Sequence, residues 1–142
     1  MNIAFFITPK HDVAWVKTTS TVRQAIERME HHRYTAVPLL TPEGQYAGTL
    51  TEGDLLWFLK QTPSLRFEDT EHIPLEVVPR RMTIRPIHIY ADVEQLLTLV
   101  LDQNFVPVTD DRQAFVGIVR RRAILSFFQE KIMAIARESP TP

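Results

Sequence analysis

The chain repeats itself, and an internal repeat constrains the fold more than any single motif does. Pro38 precedes Gly48 by ten residues, Pro107 precedes Gly117 by the same ten residues, and the two prolines are 69 residues apart. After each glycine come an apolar pair and a helical pattern, GTLTEGDLLWFL in the first copy and GIVRRRAILSFF in the second. Upstream, STVRQAIERMEHHRYTAVP matches ADVEQLLTLVLDQNFVP, with two extra residues in the first copy. The chain therefore carries two copies of one small structural unit.

Both copies predict the same order of elements. A short strand leads into a helix that we expect to be N-capped by Ser20 in the first copy and by Asp92 in the second. The apolar positions of these helices share one spacing: Val22, Ala25, Ile26 and Met29, then Val93, Leu96, Leu97 and Val100. The predicted hairpin strands are 36–40 with 46–50, and 106–109 with 114–119. Second helices begin near Glu52 and Arg121. Each unit is thus β-α-β-β-α, and we expect an α/β (α+β) fold with the two units packed sheet to sheet in pseudo-twofold symmetry.

These copies also predict how the chain is divided. The first repeat is expected over 8–60 and the second over 83–130. Residues 61–82 have prolines near both ends and apolar residues between them, including LEVV, so we predict a linker with a short amphipathic piece. Residues 131–142 are predicted to hold the end of the last helix and a frayed tail.

Composition excludes several classes of protein. Hydrophobic residues make up 44% and charged residues 23%, which is typical of a globular chain. Sixteen Lys and Arg against seventeen Asp and Glu give a net charge of −1, which argues against nucleic acid as a partner. The absence of cysteine excludes disulfides and thiolate sites. No apolar run reaches the roughly 18 residues of a membrane span, and the N-terminus lacks the basic start of a signal peptide, so we expect a cytoplasmic protein with no membrane partner.

No pattern of a catalytic or metal site is present. Of the five histidines only His31 and His32 adjoin, and neighbours on a helix point about 100° apart, so they do not converge on a metal. Four glycines are too few for a glycine-rich phosphate loop, and no G-x-S-x-G elbow occurs. We therefore expect no enzyme activity, no metal and no cofactor.

The tandem β-α-β-β-α order, the triplets AVP and FVP, and GTLTEGDLL resemble a tandem pair of CBS domains, also called a Bateman module, over about residues 8–130. The segments VAWV, RYTAVP, LRFEDTEHIPLEVV, DDRQAFVGI and RRAIL are similar to small stand-alone CBS proteins of Gram-positive bacteria, some of which bind cyclic di-AMP. The resemblance implies a non-catalytic regulatory module. Such a module binds adenine nucleotides in two clefts between the repeats and signals to a partner protein, here unidentified.

The resemblance assigns the first cleft to residues of both copies. They are Thr8, Ala14, Trp15, Thr35, Ala36, Arg120, Arg121 and Arg122. Where the family has Thr and Asp, this copy has Arg120 and Ala123, so a ribose carboxylate is lost and positive charge is gained. Guanidinium pairs bidentately with phosphate oxygens, so we expect ligands rich in phosphate, in the order cyclic di-AMP, ADP and ATP, ahead of AMP or adenosine.

The resemblance also implies a second, weaker cleft, formed by Thr51, Asp54, Arg85, Ile87, Asn104 and Phe105. It keeps the Thr and the Asp of the family, but Pro86 lacks an N–H and Phe105 is bulky. We therefore expect one high-affinity site per chain, in the first cleft.

Purely structural interpretations of the same residues remain open beside the ligand-binding ones. Asp54 is also favourable simply as an acid at a helix start, Arg120–Arg122 suit a solvated helix start, and Trp15 suits a core or interface aromatic. The chain could be a ligand-free structural or interaction module with degenerate clefts. In either case we expect a homodimer, because one set of apolar helix residues exceeds what a single internal face needs: Leu55, Leu56, Trp57, Phe58, Leu59, Ile124, Leu125, Phe127 and Phe128.

Overall fold

A computed structural model describes residues 1–138, which form two small sheets flanked by four helices. The strands are β1 (Ile7–Pro9), β2 (Val16–Lys17), β3 (Ala36–Leu40), β4 (Tyr46–Thr51), β5 (Ile87–His88), β6 (Phe105–Thr109) and β7 (Phe115–Arg120). The helices are α1 (Val22–His32), α2 (Glu52–Gln61), α3 (Val93–Val100) and α4 (Arg121–Glu138). Within the described part of the chain, no helix is both long enough and apolar enough to cross a membrane.

Both repeats have the predicted β-α-β-β-α order. In the first sheet, of order β2-β3-β4, β2 runs parallel to β3 and β3 pairs antiparallel with β4. In the second sheet β5 runs parallel to β6, and β6 pairs antiparallel with β7 in the same way. Even the register irregularity recurs, between Leu39 and Leu40 in the first repeat and between Val108 and Thr109 in the second. The mixed α/β fold predicted from the repeat is confirmed.

The segments that precede the two repeats are exchanged between them. The N-terminal strand β1 joins the second sheet by pairing antiparallel with β7, while Ile3 and Phe6 are buried in the core of the second repeat. Leu75 and Val78 of the linker are buried in the core of the first repeat. Each core is thus completed by the segment that precedes the other repeat, and burial of those four apolar side chains ties the two halves together.

The two sheets meet in a third cluster of buried residues. Leu40 of β3 packs there with Phe115 and Ile118 of β7 and with Val13. At the rim, the backbone N–H of Phe115 donates to the carbonyl of Gly44 over 3.0 Å. This apolar contact is the sheet-to-sheet packing that two half-buried sheets require.

The cap of α1 differs from the prediction. Thr21, and not Ser20, is the N-cap: its hydroxyl accepts from the Gln24 N–H over 3.2 Å, and the Gln24 side chain accepts from the Thr21 N–H over 2.9 Å. Only Thr21 has a glutamine three residues later, which allows the reciprocal capping box. Asp92 is confirmed as the cap of α3.

Element ends differ by about one residue from the prediction, as is usual for helix and strand termini. β4 ends at Thr51, β6 begins at Phe105, and β7 spans Phe115–Arg120. The last helix, α4, continues to Glu138. The remainder of the predicted frayed tail, 139–142, lies outside the described residues.

Candidate functional site

A cavity of about 280 Å³ lies between the two repeats. Its wall comes from the residues just before and at the start of β3 and β6, from the end of β7 and from the first turn of α4. The lining residues are Arg33, Tyr34, Thr35, Ala36, Pro38, Asn104, Phe105, Ile118, Arg120 and Arg122. Because both repeats contribute lining residues, the cavity lies between them.

Two equivalent backbone hydrogen bonds, one in each repeat, set the shape of this wall. The carbonyl of Thr35, just before β3, accepts from the N–H of Glu52 at the start of α2 over 3.0 Å. The carbonyl of Asn104, just before β6, accepts from the N–H of Arg121 at the start of α4 over 2.8 Å. Each strand start is thereby held beside a helix start, so Thr35 and Asn104 occupy matching places on the cavity wall.

The cavity is cationic. Arg33, Arg120 and Arg122 line it, and none of the three takes part in an ion pair among residues 1–138. No carboxylate of the described residues lines it. Guanidinium groups without a counter-charge are suited to bind phosphate through paired, charge-assisted hydrogen bonds.

Arg120 connects three parts of the molecule at the cavity. Its guanidinium donates to the hydroxyl of Thr8 over 3.1 Å and to the hydroxyl of Tyr34 over 3.2 Å. Thr8 lies on the N-terminal strand β1, and Tyr34 lies in the turn that follows α1. Thr8 is therefore connected to the cavity through a hydrogen bond to a lining residue. Thr35, Ala36 and Arg122 line the cavity directly.

Of the eight residues assigned to the first cleft, four do not line this cavity: Thr8, Ala14, Trp15 and Arg121. The guanidinium of Arg121 turns toward α3, where it donates to the carbonyl of Val100 over 2.7 Å. Ala14 is 3% exposed, and Trp15 packs against the buried cluster between the sheets. The Trp15 ring also lies under the ammonium of Lys10, 5.1 Å from the ring centroid. The arrangement agrees with the core interpretation of Trp15.

The residues assigned to the second cleft are dispersed. Asn104 and Phe105 line the same cavity as Thr35 and Ala36. Ile87 is buried in the core of the second repeat. The backbone N–H of Arg85 donates to the side-chain oxygen of Gln103 over 2.8 Å, and the Gln103 amide donates back to the Arg85 carbonyl over 3.0 Å.

Thr51 and Asp54 of that set form a capping box at the start of α2. The Asp54 carboxylate accepts from the Thr51 N–H over 2.9 Å, and the Thr51 hydroxyl accepts from the Asp54 N–H over 3.1 Å. The other carboxylate oxygen accepts from the N–H of Arg81 in the linker over 2.9 Å, and Asp54 is only 2% exposed. This carboxylate is satisfied by the protein's own backbone.

A second polar contact holds Ile84, two residues beyond the end of the linker. The hydroxyl of Tyr46 donates to the carbonyl of Ile84 over 2.8 Å and lies 2.7 Å from the hydroxyl of Thr49. Burial raises the pKa of Tyr46 to about 12, against the opposing effects of the Thr49 hydrogen bond and the charge of Arg80. The first repeat therefore holds the end of the linker through Asp54 and the residue Ile84 just beyond it through Tyr46, in both cases by bonds to backbone atoms.

The sequence analysis missed Arg33 and Tyr34 as lining residues. Arg33 ends α1 in the left-handed conformation, with φ of 56°, and the chain turns there toward β3. The available signal was position, because both residues directly precede Thr35 in the segment RYTAVP. Local periodicity could not show that this turn faces the second repeat.

Comparison with known proteins bears on the fold and the site. The model of the CBS domain family matches residues 6–61 and again residues 76–130. The cyclic di-AMP receptor B of Bacillus subtilis (strain 168) is 25% identical over 134 residues, which cover 94% of this chain and 90% of that protein.

Solved structures show the same fold. A crystal structure of CbpB in complex with c-di-AMP superposes with a TM-score of 0.84 at 23% identity, covering 98% of this chain and 91% of that one. CbpB of Listeria monocytogenes in complex with c-di-AMP gives a TM-score of 0.78 at 22% identity over 93% of this chain and 98% of that one. CBSX2 in complex with AMP gives 0.70 at 19% identity over 92% of this chain and 98% of that one.

The repeat read from the sequence, the two matching sheets and the two matches of the family model agree with one another. The predicted resemblance to a tandem pair of such domains is confirmed, including its similarity to small CBS proteins that bind cyclic di-AMP. The chain belongs to the CBS domain family, with two copies of the domain arranged as a pair.

Proposed function

We propose that this protein is a regulatory module that binds an adenine nucleotide in the inter-repeat cavity and passes the bound state to a partner protein. The observation that carries the proposal is the set of three guanidinium groups, of Arg33, Arg120 and Arg122, that line one cavity without a carboxylate among the described residues. Its similarity to other proteins supports the ligand class, since one of them is a cyclic di-AMP receptor and another was solved with AMP.

The positions of these arginines favour a ligand with separated negative charges. Arg33 comes from the first repeat, whereas Arg120 and Arg122 come from the second. A dinucleotide with two phosphodiesters can meet both walls at once, whereas a single phosphate meets one. We therefore rank cyclic di-AMP first, then ADP and ATP, and then AMP. We propose one such site per chain, because the Asp54 carboxylate is already held by two backbone N–H groups.

The remaining lining residues support a binding role over a catalytic one. Ala36, Pro38 and Ile118 offer small or apolar surface against which a base can lie flat. No histidine or carboxylate of the described residues lines the cavity, so it holds none of the side chains most often used as a general base. We propose that the module is regulatory and non-catalytic, with the nucleotide as its signal.

Thermal melting with added nucleotide tests this proposal. A ligand that binds only the folded protein raises stability by RT ln(1 + [L]/Kd), about 2.7 kcal/mol at one hundred times Kd. Cyclic di-AMP should raise the melting temperature, and adenosine at the same concentration should raise it less. Absence of a shift with every adenine nucleotide, at concentrations up to the millimolar range, would overturn the proposal.

Calorimetry on two arginine variants locates the site. Arg122→Ala should weaken cyclic di-AMP binding by about 1.5–3 kcal/mol, because one charge-assisted hydrogen bond is lost. Arg137→Ala is the matched control: Arg137 is exposed near the end of α4 and does not line the cavity. Equal affinities of wild type and Arg122→Ala, or of adenosine and cyclic di-AMP, would contradict the phosphate role.

A homodimer is the assembly we propose, through the outer faces of the helices. Exposed apolar side chains on these faces include Leu56 and Leu59 on α2 and Leu125 on α4. Leu125 is 61% exposed. Ile124, counted toward this surface from the sequence, is instead buried in the second core. Sedimentation should show a dimer at micromolar concentration that Leu125→Asp converts to a monomer; a monomeric wild type would refute this assembly.

The same apolar surface supports a second candidate function, a ligand-free interaction module. That alternative predicts assembly without any nucleotide-induced rise in melting temperature. The melting experiment above therefore separates the two functions.

A further inference from the structure

Two neighbouring side-chain amides precede β6, and the protein uses only one of them. The amide of Gln103 is buried: its oxygen accepts from the Arg85 N–H, and its nitrogen donates to the carbonyls of Arg85 and Phe105. Asn104 is exposed and lines the cavity, and its side chain has no hydrogen-bond partner among residues 1–138. Its own carbonyl is held by the Arg121 N–H, so a free amide is carried on a fixed backbone.

The other polar side chains of the cavity cannot do what this amide can. The arginines only donate, and the Tyr34 hydroxyl is already paired with Arg120. Thr35, at the matching place in the first repeat, has a single hydroxyl. Asn104 is the one lining residue of the described chain that presents a donor and an acceptor side by side.

We propose that Asn104 reads the base of the bound nucleotide and selects adenine over guanine. This inference rests on the proposed function. Adenine has its N6 amino donor beside a ring-nitrogen acceptor, N1 or N7, and a side-chain amide pairs with that edge through two hydrogen bonds. Guanine has two acceptors, O6 and N7, on one edge. On its other edge, an amide that meets O6 and N1–H leaves the 2-amino group without an acceptor, and no carboxylate of the described residues lines the cavity to supply one.

This pairing predicts that a suitable substitution of Asn104 reverses the preference for adenine over guanine. A merely structural role of Asn104 would not produce such a reversal. In Asn104→Asp, a carboxylate accepts from both N1–H and the 2-amino group of guanine but matches only one group of the adenine edge. Asn104→Leu removes both hydrogen bonds and should bind the two bases alike. One bidentate pair is worth about tenfold in discrimination between bases.

Calorimetry with cyclic di-AMP and cyclic di-GMP as probes tests the inference on the full chain. Wild type should prefer cyclic di-AMP by about tenfold, Asn104→Leu should lose that preference, and Asn104→Asp should shift it toward cyclic di-GMP. The matched control, Thr35→Val, should change the two affinities by the same factor. Because Asn104 is exposed, its variants should keep the wild-type melting temperature, which is measured in parallel.

The outcomes distinguish this inference from the proposed function. If wild type binds cyclic di-AMP and both Asn104 variants keep its base preference, the inference is overturned and the proposed function stands. If wild type shows no preference between the two probes, the inference is likewise overturned. If wild type binds neither these probes nor AMP, ADP or ATP, the inference about Asn104 and the proposed function are both overturned.

Discussion

Replacing Asp54 with alanine separates a structural role of this residue from a ligand-binding one. The carboxylate is 2% exposed and accepts two backbone hydrogen bonds, from Thr51 at the start of α2 and from Arg81 in the linker, each 2.9 Å long. It does not line the inter-repeat cavity. Asp54→Ala should therefore lower the free energy of unfolding and leave nucleotide affinity almost unchanged.

The size of the loss follows from those two bonds. A hydrogen bond to a charged group contributes about 1.5–3 kcal/mol. The shorter alanine side chain leaves room for water to reach the two freed N–H groups. We therefore expect each lost hydrogen bond to cost about 1.5 kcal/mol, or about 3 kcal/mol in total. Thr51→Ala is the matched control, because it removes only the hydroxyl that caps the Asp54 N–H and should cost about 1 kcal/mol.

Urea denaturation followed by tryptophan fluorescence measures the free energy of unfolding of both variants. Calorimetry with cyclic di-AMP, at a temperature where Asp54→Ala is still folded, should give an affinity within twofold of wild type. A stability loss below about 1 kcal/mol would show that the buried carboxylate does not hold the linker. Loss of binding by the folded variant would show that Asp54 meets the ligand after all.

Two further predictions concern stability. An added Cβ at Gly117 would collide with the carbonyl of Thr8 on β1, so Gly117→Ala should lower the urea midpoint, at a cost of about 1–3 kcal/mol. Gly53→Ala in α2 meets only ordinary contacts and should raise the midpoint slightly; equal effects at the two glycines would contradict the close approach of β1. Burial raises the pKa of Tyr46 from 10.0 to about 12, so its neutral form stabilises the fold fully below pH 10 and this contribution is lost as the pH rises from 10 to about 12. Tyr46→Phe should thus be less stable than wild type at pH 8, with a difference that shrinks above pH 10; a constant difference would refute the assignment.

The sequence alone predicted the repeated β-α-β-β-α unit and placed the ends of the hairpin strands to within about one residue. Turn residues and apolar spacing act over a few positions, so the pattern around Pro38 and Gly48 predicts its hairpin locally. The recurrence of that pattern at Pro107 and Gly117 then indicated two sheets that bury their faces against each other. The positive charge of the site could also be predicted, because Arg120 and Arg122 lie on either side of the residue at which α4 begins, and the repeat predicted a helix start there.

Only the tertiary structure decided which segments and side chains meet. Nothing local in ITP predicts that β1 pairs with β7, more than one hundred residues later, because that choice depends on the matching surface of the other repeat. The same holds for Asp54, which meets the linker, and for Arg121, which turns to α3. Neighbours in sequence can point to different surroundings at a helix start, so Arg120 and Arg122 line the cavity while Arg121 does not. Local pattern fixes elements; long-range packing fixes which of their side chains share a site.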